Sequence, residues 1–346
     1  MRQLTHKPSR YVLSSALFVA LLACGGEPEA RPRAKSAARR PAARRPTPAA
    51  PAAPAAPAPA AAAPASTKLA KIVFDRPGLA PVPLVHATVA GQPTWMILDT
   101  GATTHAVSGE LARRGSLRQR DAGDGVEDHA GKPMPAGRAD PSSIMIDGWG
   151  KLAGGTGDLL VVEHAEGNLA ATAGIGGTIA PVLLVDGRSA LVVDLDRAEL
   201  RYATDEDATR TLASRLRDLA GTTATSCHGV VSVAGAVDGA PVRLFVNTGA
   251  SSSDIFLGGR VGTGLASRSK PTTRRHDSAA GSTPVRVVAG AKLSAGAWAT
   301  NVDLNLVTYD PDPACPADGD VGVDALRACV LVYGPAPGRF RARCGK

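Results

Sequence analysis

Asp99 ends the apolar run Met96-Ile97-Leu98 and is followed by Thr100-Gly101-Ala102; Asn247 ends Leu244-Phe245-Val246 and is followed by Thr248-Gly249-Ala250. A carboxylate carried by a buried strand into a tight turn can act as a general base, because burial and local N–H donors set its proton affinity. An amide in the second copy can donate and accept hydrogen bonds but cannot hand a proton to a leaving group. Glycine lets backbone approach closely in such a turn, and a threonine hydroxyl can lock it. Asp99 and Asn247 are therefore the residues placed to do chemistry, with Thr100, Gly101, Thr248 and Gly249 in the turns that hold them. No metal and no cofactor is expected: there is no Cys-x-x-Cys or paired-histidine spacing, and the glycine clusters do not fit a dinucleotide fingerprint.

The elements around these turns repeat. Before each lies a strand, a turn and a second strand: Pro83–Ala90 and Thr94–Leu98 in the first half, Gly229–Val237 and Val242–Val246 in the second. After each comes a glycine knot, Ala173-Gly174-Ile175-Gly176-Gly177 and then Asp318-Gly319-Asp320-Val321-Gly322. Asp99 and Asn247 are 148 positions apart and Gly177 and Gly322 are 145 apart, which reads as a duplication with a small indel. In this doubled Asp/Asn-Thr-Gly-Ala pattern the chain resembles the pepsin and retropepsin families of aspartic peptidases over roughly residues 80–344, with one catalytic carboxylate replaced by Asn247.

The resemblance implies a mainly β fold: two homologous retropepsin-like β-barrel lobes with short helices, in a pepsin-like bilobal arrangement. In that family two carboxylates meet at a pseudo-twofold axis and share one proton; one draws a proton from water while the other donates to the scissile carbonyl. It also implies a flap at Asp121–Gly137 and a polar loop at Lys270–Ser282 in the equivalent position. The closing hairpins are expected at Leu191–Asp196 with Glu199–Tyr202, and at Cys329–Tyr333 with Arg339–Arg343. Four cysteines, Cys227, Cys315, Cys329 and Cys344, fall in the second half and read as two disulfides in an exported chain. Because bilobal peptidases often bring a lobe's two ends together, Cys227–Cys344 and Cys315–Cys329 are expected among the three possible pairings.

Residues 1–23 read as a lipoprotein signal peptide, with Arg2, Lys7 and Arg10 ahead of an apolar stretch and Leu21-Leu22-Ala23-Cys24 as a lipobox, so Cys24 is the expected lipidation site. Residues 24–66, rich in Ala, Pro and Arg, read as a disordered tether. Ten of the 39 Lys/Arg and two of the 31 Asp/Glu lie in residues 1–66, which accounts for the whole net charge of +8; the rest is neutral. That basicity suits an anionic envelope surface better than nucleic acid. The remaining chain divides into a first lobe at 67–204, a linker helix at 205–221 (Asp205 to Ala220 with Asp205 as cap and Gly221 as stop) and a second lobe at 222–346.

Other candidates carry less. Asp121, Asp124, Glu127, Asp128 and His129 fit no calcium-loop spacing. His105 reads as a hydrogen-bonded core or surface histidine, and Ser251-Ser252-Ser253 as loop. The expected function is a lipid-anchored envelope protein, facing the periplasm or outer membrane, monomeric, with a polypeptide substrate or ligand, a membrane contact through its lipid and no nucleic-acid partner. Asp99 is its catalytic carboxylate, with hydrolysis impaired by Asn247. The alternative is an inactive pseudoprotease that binds peptide or protein.

Overall fold

A computed structural model describes residues 68–121, 135–152, 159–163, 173–215, 217–219, 225–227, 229–278, 281–309, 316–335 and 339–345. Most of the expected flap at Asp121–Gly137 and the acidic cluster within it lie outside the described residues, as do the signal segment, the tether and Cys315.

Both halves start from the same hairpin. Leu84–Val89 pairs antiparallel with Gln92–Leu98, and Val230–Val237 with Ala240–Val246. The links are two-residue turns, Ala90-Gly91 and Asp238-Gly239, in which all four residues have positive φ (46°, 82°, 48° and 86°). That is the turn whose twist matches paired strands, and glycine takes its second position because it meets no Cβ penalty there. The hairpin's second strand then lies parallel to the strand from the glycine knot: Gln92–Leu98 beside Ile175–Ile179, and Ala240–Val246 beside Gly319–Val321.

The register corrects one equivalence. Thr178 pairs with Ala106 and Asp320 with Asp254, so Gly177 corresponds to Gly319 and not to Gly322. The sequence invites the error because both knots contain several glycines, and only the ladder decides among them.

The first-lobe sheet runs Arg120–Asp121, Ala136–Ala139, Leu159–Val162, Ala106–Ser108, Ile175–Ile179, Gln92–Leu98, Leu84–Val89, Ile144–Ile146 and Gly150–Lys151. The second runs Thr225–Cys227, Val230–Val237, Ala240–Val246, Gly319–Val321, Asp254–Phe256, Trp298–Val307, Gly281–Ala295 and Lys270–Ser278. It curls until Ala236 and Val237 also pair with Ser294 and Leu293. The fold is thus mainly β, with curled sheets as in the retropepsin-like fold. Lys270–Ser278 is not a loop, as expected, but one arm of a hairpin with Gly281–Ala295. Its polar sequence misled because strand pairing satisfies the backbone whatever the side chains.

A third sheet joins the halves. Ala190–Asp194 of the first closing hairpin pairs with Cys329–Tyr333 of the second, Leu191 opposite Tyr333 and Val193 opposite Leu331. Leu69–Lys71 extends one edge of that sheet and Arg217–Asp218 the other. The expected sixteen-residue helix is cut short, spanning Asp205–Ala213, and its cap is Thr204, whose Oγ1 accepts from the Asp207 N–H at 3.1 Å. It packs Ala208 and Leu212 onto Val192, Val330 and Val332 of the joining sheet. Beyond it Arg215 is buried and pairs with Asp194 (3.3 Å) and Asp196 (2.8 Å), which turns the chain into the Arg217–Asp218 edge strand. The 3.6-residue leucine spacing continues past that point, so tertiary pairing overrides it.

The disulfide expectation fails. Cys329 and Cys344 face each other across the last antiparallel pair, with Cα atoms 4.0 Å apart, and are bonded to one another. Cys227–Cys344 and Cys315–Cys329 are therefore excluded. Adjacent strands provide the short approach that a bridge needs.

Candidate active site

The two turns meet as mirror copies. Thr100 Oγ1 donates to the Val246 carbonyl at 2.6 Å, and Thr248 Oγ1 donates to the Leu98 carbonyl at 2.5 Å. Each hydroxyl also accepts the other threonine's backbone N–H at 3.0 Å. Four hydrogen bonds thus fasten the halves to each other through their turns. Underneath, the Asp99 N–H donates to the Ile179 carbonyl and the Asn247 N–H to the Val321 carbonyl, at 2.9 and 3.0 Å.

Gly101 and Gly249 are required by contact. A Cβ on Gly249 would lie 2.3 Å from Asp99 Cγ, and one on Gly101 would lie 2.7 Å from Asn247 Oδ1. Each half's side chain therefore rests on the other half's glycine. The six residues singled out in the sequence are all brought together here.

Asp99 Oδ1 accepts from the Gly101 N–H at 2.8 Å, and Asn247 Oδ1 from the Gly249 N–H at 3.0 Å. Both side chains are fully buried. Burial pushes the Asp99 carboxyl from 3.8 up to about 7, opposed by the N–H groups of Gly101, Gly249 and Ala102. Its Oδ2 makes no hydrogen bond among the described residues. With an amide at position 247 there is no adjacent ionised carboxylate in the facing turn; desolvation alone raises Asp99.

The sequence reading missed the residues behind Asn247. Asn247 Nδ2 donates to Asp320 Oδ2 at 3.3 Å. Asp320 is held well above the usual carboxylate range by burial, then by the neighbouring Asp254 charge, with the Asn247 hydrogen bond opposing. Asp254 in turn accepts from Asn305 Nδ2 at 2.9 Å and lies 3.4 Å from His276 Nδ1. Ser253 Oγ accepts from the Gly322 N–H and donates to Asp324, so the triple serine is loop, as expected, but a buried and hydrogen-bonded one. Tyr333, from the joining sheet, is raised by burial and by the Asp99 charge, and its hydroxyl engages Thr100. A legible signal existed: at matching places of the two repeats the second lobe has Asp254 and Asp320 where the first has Ala106 and Thr178.

His105 does not touch this chemistry. Its Nδ1 accepts the Ala180 N–H at 3.1 Å and burial pushes it down to about 4, so it is a neutral core histidine.

Comparison with curated proteins finds no match. The sequence model of the aspartyl protease family matches residues 85–150, a span that begins within the first hairpin and carries Asp99, Thr100 and Gly101. That match supports an aspartic-protease-like family and a peptidase-like function for the chain.

Proposed function

We propose that the protein is an envelope-anchored, aspartic-type peptide-handling protein that binds extended polypeptide between its halves and hydrolyses it weakly. The observation that supports this most is the reciprocal threonine lock, which holds Asp99 against the opposite glycine in the posture that a general base needs. When ionised, Asp99 takes a proton from water; the water oxygen attacks the scissile carbonyl carbon, and Asp99 then returns that proton to the leaving nitrogen. Asn247 Nδ2 has a second hydrogen beyond the one directed at Asp320, and it can donate to the developing oxyanion. It cannot supply a proton, and losing one general acid costs roughly 10²–10⁴ in rate.

Two features favour a second reading, a module that binds without cutting: the amide at Asn247, and an Asp99 that stays protonated up to about pH 7. Full burial of both side chains also means that the packing over the turns must open before peptide reaches them. In this proposal the chain is monomeric and Cys24 is lipidated, tethering the body at the membrane. The test is incubation of the purified full chain with unfolded casein from pH 4 to 9, beside Asp99→Asn. Slow cleavage that rises towards pH 7 and vanishes in the variant supports the enzyme. Binding with no Asp99-dependent cleavage at any pH leaves the binding module.

A further inference from the structure

Three neighbouring rungs of the second-lobe sheet differ in kind from those of the first. In the first lobe they hold Thr178, Ala106 and Leu160. In the second the same rungs hold Asp320, Asp254 and Asn305. All three are 4% exposed or less. An uncompensated buried carboxylate is costly, so its partners define its role. Asp254 is occupied by Asn305 and His276. Among the described residues Asp320 has one side-chain hydrogen-bond partner, the Asn247 amide, and its Oδ1 makes no hydrogen bond.

This contact removes a freedom that a lone asparagine would have. With Asn247 Oδ1 on the Gly249 N–H and Nδ2 on Asp320, every contact joins a donor to an acceptor. Flipping the amide would set Nδ2 against the Gly249 N–H, a like-to-like contact in a buried site, and, with Asp320 ionised, Oδ1 against its oxygen, a second one. Asp320 and the Gly249 N–H therefore together determine which face of Asn247 looks towards Asp99.

We propose that Asp320 is the positioning residue of the second turn, and that Asn247 and Asp320 are a transposed pair: the carboxylate absent from the turn stands one strand behind it, and exchanging the two residues restores it without changing the hydrogen bonds. Asn247→Asp alone sets two carboxyl oxygens at the 3.3 Å contact, with Asp254 close behind. In the exchange, N247D/D320N, an amide at 320 donates to a carboxylate at 247, which again accepts from the Gly249 N–H. A second carboxylate then faces Asp99, as the proposed peptidase chemistry requires; only this consequence rests on the peptidase reading.

The full chain is compared with N247D, D320L and N247D/D320N. Three measurements are made: the side-chain amide signals of ¹⁵N-asparagine-labelled protein, the urea midpoint at pH 7, and cleavage of unfolded casein. The expected results are a displaced or split Asn247 amide signal in D320L, a lowered midpoint in N247D that the exchange restores, and casein cleavage by the exchange at least about tenfold faster than by N247D. An Asn247 signal unmoved in D320L, or an exchange no more stable than N247D, overturns the pairing. If the amide signal moves and the midpoint recovers but casein stays intact, the pairing stands and the peptidase reading falls.

Discussion

Replacing Asp99 with Asn should change how stability depends on pH, and the size of the change follows from two buried groups. Asp99 holds its proton up to about pH 7, whereas an unfolded chain releases it near 3.8. Between those values the folded state binds more protons, so stability falls as pH rises. At about 1.4 kcal/mol per pH unit, the loss by pH 7 is about 4 kcal/mol. His105 works in the opposite sense. Its ordinary value of 6.5 drops to about 4 in the folded core, so the unfolded chain binds more protons between those values and stability rises with pH by about 3 kcal/mol. The two windows overlap and nearly cancel, and the parent should lack a steep slope from these groups between pH 4 and 6.5.

Asp99→Asn removes the first contribution and leaves the second. Urea unfolding at pH 4, 5.5, 7 and 8.5 should therefore show the variant gaining on the parent up to about pH 7, by about 4 kcal/mol in all, and holding that gain at pH 8.5. Ordinary surface carboxylates and any pH-independent effect of the substitution drop out of that comparison. Asp320 does not reverse the sign: part of its own elevation comes from the Asp99 charge, so losing Asp99 lowers its value and adds to the gain. A difference between the two proteins that stays constant across the series would refute the account, because it would mean that Asp99 is not a buried, proton-holding acid.

Gly249→Ala should unfold or strongly destabilise the chain, since its Cβ would lie 2.3 Å from Asp99 Cγ, whereas Gly239→Ala meets nothing within 4 Å and should cost only the strain of its positive φ; thermal melts of both variants check the contrast. Cys329→Ser opens a bridge spanning a 15-residue separation and should lower stability by about 3 kcal/mol, and peptide mapping without reductant should recover Cys329 joined to Cys344. Cys24→Ser should release the protein from membranes on fractionation; a variant that stays bound as tightly as the parent would remove the lipid anchor from the proposal.

What could be read from the sequence was whatever two local signals agreed on. The first hairpin and the Asp99 turn each combine an apolar period with turn residues, and each is found as expected. Where the signal was a period without a stop, it was overrun: the leucine spacing after Ala213 continues, but the buried Arg215 ion pairs end the helix. Ladder register was not legible. It decides that Cys344 faces Cys329, that Gly177 matches Gly319, and that Asp320 stands behind Asn247, and none of these follows from spacing along the chain.

The asymmetry between the halves has a physical consequence for how the site could have changed. In the first half the rungs behind Asp99 are small or apolar, so nothing there competes for its carboxyl, and desolvation sets its proton affinity. In the second half the rungs carry two carboxylates and an amide, and His276 approaches Asp254 from the edge strand. A carboxylate at 247 would be a third acid in contact with that cluster and beside Asp99, and several buried like charges cannot all ionise. An amide relieves the crowding and keeps a donor for Asp320. The amide at 247 and the polar rungs therefore suit each other: Asn247→Asp alone places a charge where its surroundings do not accommodate it. A proton-sharing pair with Asp99 therefore requires that Asp320 give up its carboxyl group in the same step.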